Sequence, residues 1–262
     1  MSLTLDIGAT GMMAQQLNVD VIANNIANMT TTGFKRQRAE FQDLLYQTHV
    51  RPGSTSSDAG TTIPAGIQVG YGVKAGSVYR INEQGALQNT SNDFDLAVVG
   101  EGYFQIQLPS GETAYTRDGS FQLNQNGEVV TSEGYSINPG ITIPPDAVDV
   151  TINNSGEVLV KIDGQIALQN VGQIQLSVFA NEAGLNALGD NLYTETEASG
   201  TAIPGNPNSP SYGKIQQGFL ETSNVNIVSE MTSLIQAQRA YEMNSRVIQT
   251  GDEMLNTITQ MR

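Results

Sequence analysis

Two long apolar patterns with a period near 3.5 residues lie at opposite ends of this chain of 262 residues. At the N-terminal end, spacings of four and three residues alternate through Leu3, Ile7, Thr10, Ala14, Leu17 and Val21. At the C-terminal end, every seventh residue is apolar, and two more extend the row: Ile227, Leu234, Tyr241, Ile248 and Leu255, with Met231 and Ile258. Such a period keeps one row of side chains against a partner helix. The sequence therefore predicts terminal helices, in residues 3–29 and 215–262, that pair as a coiled coil.

The N-terminal helix carries a second apolar row, which contains Leu5, Met12, Val19 and Ile26. A helix that is apolar on two faces needs more than one neighbour to cover it. Asn24, Asn25 and Asn28 interrupt its apolar surface, and buried amides of this kind fix the register of a helix pair. We expect this helix to lie in a layer built from several subunits, and the alternative is a core helix inside one subunit.

Between the two ends, the sequence is typical of short strands joined by tight turns. Residues 51–66 and 198–213 are rich in Pro, Gly, Ser and Thr, and they enclose a region that we expect to be β-rich. Asn124–Glu128 and Asn153–Glu157 are near-copies that predict hairpin turns with a glycine at positive φ. The dipeptide Asp118-Gly119 predicts a further hairpin.

The predicted fold class is mixed α+β, with paired terminal helices around a central antiparallel, hairpin-rich β domain. The domain boundaries that we expect are an N-terminal helix and short following segment (1–45), an extended polar loop (46–66), a β-rich outer domain (67–197), a Pro/Gly-rich linker (198–214) and a C-terminal helix (215–262).

The composition excludes several classes of partner. The formal net charge is −14 and the pI is near 4.3, which argues against binding to nucleic acid. Lys35, Arg36 and Arg38 form the one basic cluster, and a cluster of this size indicates a solvated helix end. No apolar run approaches the roughly 20 residues of a membrane span, so no membrane insertion is expected. The N-terminus lacks the pattern of a cleavable signal peptide, which leaves a cytoplasmic chain or one exported by another route.

Catalytic, metal and cofactor sites are not expected. The chain contains no cysteine and a single histidine, His49, which lies beside the polar loop. A nucleophile–histidine site needs a buried and oriented imidazole, and a zinc site needs several Cys or His ligands. The sequence therefore predicts neither an enzyme nor a metal-binding or cofactor-binding protein.

Three stretches resemble the flagellar rod and hook proteins. The N-terminal one is NVDVIANNIANMTTTGFKR, from Asn18 to Arg36. The C-terminal one is GFLETSNVN from Gly218, followed by QAQRAYE from Gln236, and the middle one is YTRDGSF from Tyr115. The chain most resembles the family's distal-rod members, because it has no room for the extra β domains of hook proteins. In addition, its segment from Gln42 to about Gly66 is similar to the insertion that marks the distal rod.

The resemblance implies a helical tubular homopolymer in which both terminal helices pair around a central channel and the β domain lies outside. It also implies export through the flagellar type III apparatus without a cleavable signal, and a place in the basal body from the periplasm to the outer membrane. The implied partners are the proximal rod proteins, the hook protein and the L-ring and P-ring proteins.

Three sets of residues are the predicted subunit interface. In the N-terminal part they are Leu3, Ile7, Ala14, Leu17, Val21, Asn24, Asn25, Asn28 and Phe34. In the C-terminal helix they are Ile227, Met231, Leu234, Tyr241, Ile248, Leu255 and Ile258. In the polar loop, which we expect to bridge adjacent subunits and fix their relative tilt, they are Tyr46, Gln47, Arg51, Pro52, Ile63 and Pro64.

The leading hypothesis is therefore a structural subunit of a rigid shaft that transmits motor torque to the hook. A proximal-rod member of the same family is the nearest alternative, and the 46–66 insertion argues against it. A secreted peptidoglycan-acting enzyme or binding module with helical docking ends is an alternative from another class. The chain has no spare segment of the size that an added catalytic domain would need.

Overall fold

The computed structural model describes residues 3–53, 65–164 and 167–260. The chain divides into two compact units. Unit 1 consists of Met1–Ile26, Gln37–Tyr79 and Asn226–Arg262, and unit 2 consists of Ala27–Arg36 and Arg80–Val225. The long helices are α1 (Leu3–Ala27) and α2 (Ile227–Gln260).

Twenty strands are present in the described residues. The first four are β1 (Gln37–Asp43), β2 (Tyr46–Val50), β3 (Ile67–Gly70) and β4 (Val73–Arg80). The next eight are β5 (Leu87–Asn89), β6 (Leu96–Val99), β7 (Tyr103–Gln107), β8 (Thr113–Thr116), β9 (Gln122–Leu123), β10 (Val129–Val130), β11 (Ser136–Ile137) and β12 (Ala147–Ile152). The last eight are β13 (Glu157–Ile162), β14 (Gln169–Gln173), β15 (Leu176–Val178), β16 (Asn186–Gly189), β17 (Leu192–Thr194), β18 (Ile203–Gly205), β19 (Lys214–Gln217) and β20 (Phe219–Glu221).

In unit 1, the two terminal helices pack against each other in antiparallel orientation. A Cβ atom placed on Gly8 would lie 2.7 Å from Ile248 Cγ1, near the start of α1 and towards the end of α2. At the opposite end of the pair, Asn25 Nδ2 donates to Glu230 Oε2 at 3.2 Å. The predicted pairing of the chain ends is thus confirmed, whereas its coiled-coil geometry stays a prediction. No helix in the described residues has the length and hydropathy of a membrane span.

The C-terminal helix starts later than the predicted domain boundary at residue 215. Strands β19 and β20 come first, and α2 begins at Ile227. Asn226 precedes it as the N-cap residue, because its Oδ1 accepts from Ser229 N at 3.2 Å and its backbone oxygen accepts from Glu230 N at 3.0 Å. A side-chain acceptor at this position satisfies an amide that the first turn leaves unpaired.

The segment expected to be an extended polar loop begins and ends in a β-hairpin. Strands β2 and β3 pair antiparallel, with Tyr46 opposite Gly70 and Val50 opposite Ile67. The backbone of Tyr71 continues the ladder by donating to Leu45 O at 3.0 Å. Residues 54–64 lie outside the described part of the chain. The first five residues of the predicted loop therefore form β2, and β3 follows directly after its last residue.

Unit 2 is built around an antiparallel sheet. Nine strands of the described chain form it, in the order β16-β17-β8-β7-β11-β10-β9, with β15 joining β7 to β18. Smaller sheets accompany it, namely β12-β13-β14, β19-β6 and β20-β5. Strand β18 lies inside the segment expected to be a Pro/Gly-rich linker, and it pairs with β15. These antiparallel pairings confirm the predicted β-rich middle of the chain.

Strand β7 separates two groups of buried side chains. Successive residues of a strand point to opposite faces, so Phe104 and Ile106 belong to the main core. Tyr103, on the other face, belongs to a second cluster with Tyr115 and Phe179. The ring of Phe179 meets both tyrosine rings edge-on, at centroid distances of 5.8 and 4.8 Å. Both faces of β7 are therefore buried, one in the main core and the other in the second cluster.

Each of the two near-copy turns closes its own hairpin, as predicted, and the two have the same hydrogen bonds. In each, the asparagine Oδ1 accepts from the glutamate backbone amide, at 3.0 Å for Asn124 and 2.9 Å for Asn153. The glycine between them has a φ of +79° at Gly127 and +77° at Gly156. Glycine adopts this region without a steric penalty, which explains the repeated motif.

The predicted hairpin at Asp118-Gly119 is wrong. Strand β8, which precedes the dipeptide, pairs with β7 and β17, whereas the following β9 pairs with β10. A Cβ atom at Gly119 would lie only 1.6 Å from Leu96 O, so the glycine is needed for close approach of two backbones. The sequence correctly indicated a position that requires glycine, but the reason is this close backbone contact and not a turn.

Candidate functional site

One row of small and polar residues lies on the face of α2 that contacts α1. The row contains Glu230, Ala237, Asn244 and Gly251, which are spaced seven residues apart. Asn244 is half-buried and the other three are buried. A Cβ atom placed on Gly251 would lie 3.3 Å from Leu5 Cδ2. Gly8 and Gly251 leave room for Ile248 and Leu5 of the facing helix, so the predicted apolar row borders this contact row and contributes Ile248 to the contact with α1.

Large apolar side chains are exposed on both flanks of α2. One exposed face contains Val228, Met231 and Ile235, and the other contains Met243, Val247 and Met254. Members of each face are separated by three, four or seven residues, so they lie together along the helix. Exposed apolar faces of this extent mark interaction surfaces. One α1 helix therefore leaves much of the apolar surface of α2 uncovered.

The predicted interface residues of the N-terminal part differ in exposure. Ala14, Val21 and Asn25 are buried, Leu3, Leu17, Asn28 and Phe34 are half-buried, and Ile7 and Asn24 are exposed. A Cβ atom placed on Gly72 would lie 3.4 Å from Ile7 Cα, which puts Ile7 beside the turn between β3 and β4. Their role between subunits stays a prediction.

The remaining predicted interface residues are mostly exposed. In α2, Ile227, Met231, Tyr241 and Leu255 are exposed, Leu234 and Ile248 are half-buried, and the side chain of Ile258 lies outside the described part. In the loop segment, Tyr46, Gln47, Arg51 and Pro52 are exposed, and Ile63 and Pro64 lie outside the described residues. Leu45 is exposed at the base of this hairpin and Ile67 at its other end, next to residues 51–66, so each end presents an apolar side chain.

Asn25 fixes the register of unit 1. It is 1% exposed, and its Nδ2 donates to Gln37 O at 2.8 Å and to Glu230 Oε2 at 3.2 Å. Its Oδ1 accepts from Gln37 N at 2.8 Å. One amide thus joins α1, the start of β1 and α2, because its oxygen and nitrogen both bond the backbone of Gln37 and its nitrogen also bonds Glu230.

A buried ionic cluster in unit 2 joins the three stretches that carry the family resemblance. Glu221 Oε1 accepts from Lys35 Nζ at 2.6 Å, and Oε2 accepts from Arg117 Nε at 2.9 Å. The three side chains are 1%, 3% and 6% exposed. Gly85 N also donates to Glu221 Oε1, at 2.9 Å. The expectation that Lys35 belongs to a solvated helix end is therefore wrong, since its charge is compensated far along the chain.

The neighbours of the cluster hold the backbone in place. Lys35 Nζ donates to Glu83 O at 2.8 Å, while Arg117 donates to Gly100 O at 2.6 Å and to Gly102 O. Burial alone would raise the pKa of the Glu221 carboxyl. The charges of Arg117 and Lys35 and the hydrogen bonds outweigh burial and hold that pKa below its usual range. The carboxylate is thus a fixed anion between two cations.

A second amide, Asn224, ties three backbone segments of unit 2 together. Its Oδ1 accepts from Arg36 N at 2.7 Å, and its Nδ2 donates to Ile81 O at 2.8 Å and to Glu83 O at 3.0 Å. Arg36 O in turn accepts from Ile81 N at 2.9 Å. These segments adjoin the points where the chain passes between the units, at residues 36/37, 79/80 and 225/226.

A cavity of about 320 Å³ borders the ionic cluster and is lined by Lys35, Arg117, Tyr103 and Glu182, among others. Burial raises the pKa of Glu182, whose Oε2 accepts from the Tyr103 hydroxyl at 3.3 Å. The cations are already hydrogen-bonded to Glu221 and to backbone oxygens. In the described residues, no group of three or more His, Cys, Asp or Glu side chains is placed to hold a metal ion.

Three family models match successive parts of the chain. "Flagella basal body rod protein" matches residues 5–35, "Flagellar hook protein FlgE/F/G D1 domain" matches 97–160, and "Flagellar basal body rod FlgEFG protein C-terminal" matches 216–261. The ionic cluster takes one residue from each match. The periodicity of the apolar residues predicted neither this ionic cluster nor the row of small and polar residues on α2. Lys35, Arg117 and Glu221 each lie in one of the three stretches that carry the resemblance, and this is the signal that could have indicated the cluster.

Curated relatives match over nearly the whole chain. Flagellar basal-body rod protein FlgG of Caulobacter vibrioides is 61% identical over 98% of both chains. FlgG of Buchnera aphidicola subsp. Schizaphis graminum is 50% identical over 98% of this chain and 99% of the relative. FlgG of Agrobacterium fabrum is 50% identical over 98% of both chains.

Proposed function

The chain belongs to the FlgG family of flagellar basal-body rod proteins and is a structural rod subunit, and we propose that it polymerises into a rigid tube that carries motor torque through the periplasm to the hook. In this tube, α1 and α2 of each subunit pack against the helices of its neighbours. The β-rich unit 2 provides the outer surface. We also propose that the chain is not an enzyme.

The exposed apolar faces of α2 carry this proposal. Six large apolar side chains on two flanks remain exposed although α2 already packs against α1. Burying apolar surface contributes about 25 cal/mol per Å², so a helix with two such faces gains stability from neighbours on both sides. A tubular layer of helices gives every helix neighbours on both sides, which a single closed dimer does not.

The neighbours that we propose at the two ends of the polymer are the proximal rod proteins and the hook protein, and the L-ring and P-ring proteins surround it. Export through the flagellar type III apparatus is part of the same proposal. Absence of cysteine suits such a subunit, because no disulfide can form when the chain enters the oxidising periplasm.

The β2–β3 hairpin and the segment between its strands are proposed to bridge adjacent subunits. Leu45 and Tyr46 expose apolar surface at the base of this hairpin, and Ile67 exposes it at the other end. Contacts of this kind between subunits would resist tilting, since burying them couples the orientation of one subunit to that of the next. The bridge thus accounts for a tube that is straight and stiff.

One substitution on an exposed face of α2 tests the polymer proposal. Ile235→Glu places a charge on the face formed with Val228 and Met231, whereas Gln125→Glu places the same charge on an exposed turn of unit 2, outside both helices. Burying an unpaired carboxylate costs several kcal/mol, so we expect the Ile235→Glu protein to require a concentration about 100-fold higher to form tubes. Electron microscopy over a concentration series measures this.

The Gln125→Glu protein should form tubes at the concentration of the unaltered chain. Circular dichroism of both variants at low concentration should match that of the unaltered chain, because neither position lies in the contact row with α1. Tubes of the Ile235→Glu protein at the unaltered concentration would contradict the assigned interface.

A shortened hairpin tests the bridge. Val50 and Ile67 are paired, so a two-residue Asn-Gly turn in place of residues 51–66 should close the hairpin without disturbing β2 and β3. We expect tubes that still form but bend more readily, with a shorter persistence length in electron micrographs. A chain with residues 51–66 in scrambled order is the control for length. Equal persistence lengths for the shortened and unaltered tubes would refute the bridge.

A further inference from the structure

All methionines of this chain lie near its two ends. There are eight, at positions 1, 12, 13, 29, 231, 243, 254 and 261, and residues 30–230 contain none. Four of those on α1 and α2 have exposed side chains, between 52% and 63% accessible, namely Met13, Met231, Met243 and Met254. We refer to these four as the helix methionines. Such a distribution ties one side-chain chemistry to the surface that is proposed to be buried on assembly.

The helix methionines are also placed among apolar neighbours. Met231 lies on one exposed face of α2 with Val228 and Ile235, and Met243 and Met254 lie on the other face with Val247. Methionine is unbranched and polarizable, which suits it to fill irregular contacts between helices. The same thioether is the group in this chain that mild oxidants attack most readily, because the chain has neither cysteine nor tryptophan.

We propose that the helix methionines are an oxidation site that controls assembly: peroxide converts them to sulfoxides in the free subunit, the sulfoxides prevent polymerisation, and the assembled polymer shields them. The proposal rests on the proposed function, since it requires that these side chains become buried between subunits. It assigns a modification site and a class of oxidant, hydrogen peroxide or an organic hydroperoxide.

The chemistry is a two-electron oxygen transfer. A lone pair of the thioether sulfur attacks one peroxide oxygen, an S–O bond forms and the O–O bond breaks. The departing oxygen takes the proton and leaves as water from hydrogen peroxide, or as an alcohol from a hydroperoxide. The sulfur is oxidised to the sulfoxide while the peroxide is reduced.

A sulfoxide oxygen opposes burial in an apolar contact. Burying one polar group without a hydrogen-bond partner is unfavourable by enough to change an association constant roughly tenfold or more. With several modified side chains in each subunit, we expect the concentration required for polymerisation to rise at least about tenfold. Folding of unit 2 should not change, because it contains only Met29, which lies outside its two buried clusters.

The test is treatment of the full chain with dilute hydrogen peroxide before and after assembly. Peptide mass spectrometry locates the added oxygen atoms, and sedimentation with electron microscopy measures polymer. We expect treated free subunits to fail to polymerise, and treated polymer to keep its helix methionines in the thioether form. Polymerisation of fully oxidised subunits at the ordinary concentration, or equal oxidation rates in polymer and free subunit, would overturn the proposal.

A matched variant replaces the helix methionines with leucine: Met13→Leu, Met231→Leu, Met243→Leu and Met254→Leu. Leucine keeps the apolar volume without the sulfur, so this chain should polymerise with or without peroxide treatment. Loss of its assembly after peroxide would place the effect at other residues and reject the site. As a measurement independent of this variant, methionine sulfoxide reductases A and B together, which reduce the two sulfoxide epimers, should restore assembly of the treated unaltered chain, and failure to restore it would also count against the site.

The outcome is separable from the proposed function. If untreated subunits never form tubes, the polymer proposal fails. If untreated subunits form tubes and oxidation has no effect, the polymer proposal stands and only the oxidation site is rejected.

Discussion

Replacing Glu221 with alanine should destabilise unit 2 more than any exposed substitution. The side chain accepts hydrogen bonds from Lys35, Arg117 and Gly85 at 2.6, 2.9 and 2.9 Å, and it is 1% exposed. Its removal leaves two buried cations facing each other without their shared anion. Removing one partner of a buried ion pair costs about 3–5 kcal/mol, and the cost here should lie in that range.

The glutamine variant separates charge from shape. In Glu221→Gln, the side-chain oxygen still accepts from Gly85 N, so the expected loss is smaller, about 2 kcal/mol. Glu112→Ala is the matched control, because Glu112 is exposed in the same unit and its loss should change stability by less than about 0.5 kcal/mol. Adding Lys35→Met to Glu221→Gln removes one uncompensated cation, so the double variant should lose less than the sum of the single losses.

Urea unfolding of the full chain at low concentration measures these differences. Tyrosine fluorescence is the appropriate signal, because the chain lacks tryptophan and Tyr103, Tyr115 and Tyr193 all belong to unit 2. The pKa of Glu221 is lowered in the folded state, so its contribution is complete above the unfolded-state pKa of about 4.3 and is lost as the pH falls through the lower folded-state pKa. The difference in free energy of unfolding between the unaltered chain and Glu221→Gln should therefore decrease as the pH falls.

The reasoning would be refuted by a loss below about 1 kcal/mol for Glu221→Ala at pH 7, since no buried cation would then depend on this carboxylate. A gap to Glu221→Gln that stays constant from neutral to strongly acidic pH would equally reject the assigned charge.

Two further outcomes follow from the local geometry of unit 2. Gly156→Ala should cost about 2–4 kcal/mol in urea unfolding, because the φ is +77° and a Cβ atom would lie 2.8 Å from Ile174 O. Gly111→Ala, at a φ of +87° with no atom within 4 Å, should cost only about 1 kcal/mol, and equal losses would show that the backbone clash is unimportant. Burial raises the pKa of Glu182, so its contribution is present below the unfolded-state pKa and is lost as the pH rises through the folded-state pKa. Glu182→Gln keeps an acceptor for Tyr103 and should gain stability relative to the unaltered chain between about pH 4 and pH 7, and parallel pH profiles would contradict this.

Features that depend on neighbouring residues could be predicted from the sequence. The period of the terminal apolar rows predicted both helices, and the paired Asn–Gly–Glu turns predicted two hairpins, because each pattern acts over a few residues. Asn25 was also identifiable, since an amide within an apolar helix must find a partner. The structure supplies the partner, Glu230, from the other end of the chain.

Features that depend on distant residues could not be predicted in the same way. Lys35 was expected to be solvated because a cluster of three basic residues in four positions is typical of a solvated helix end, and its partner Glu221 is 186 residues away. The glycine of Asp118-Gly119 was assigned to a turn, although it accommodates the Leu96 backbone from a separate segment.

The sequence alone determined that this chain has two apolar terminal helices, a β-rich middle and the motifs of its family. Only the tertiary structure decided which helical row faces inwards. Gly8 and Gly251 leave room for Ile248 and Leu5 of the facing helix, and α1 and α2 therefore meet along these small residues. Other large apolar side chains of α2, such as Met231 and Met254, are left exposed, because hydrophobicity specifies what must be buried but packing volume decides against which partner.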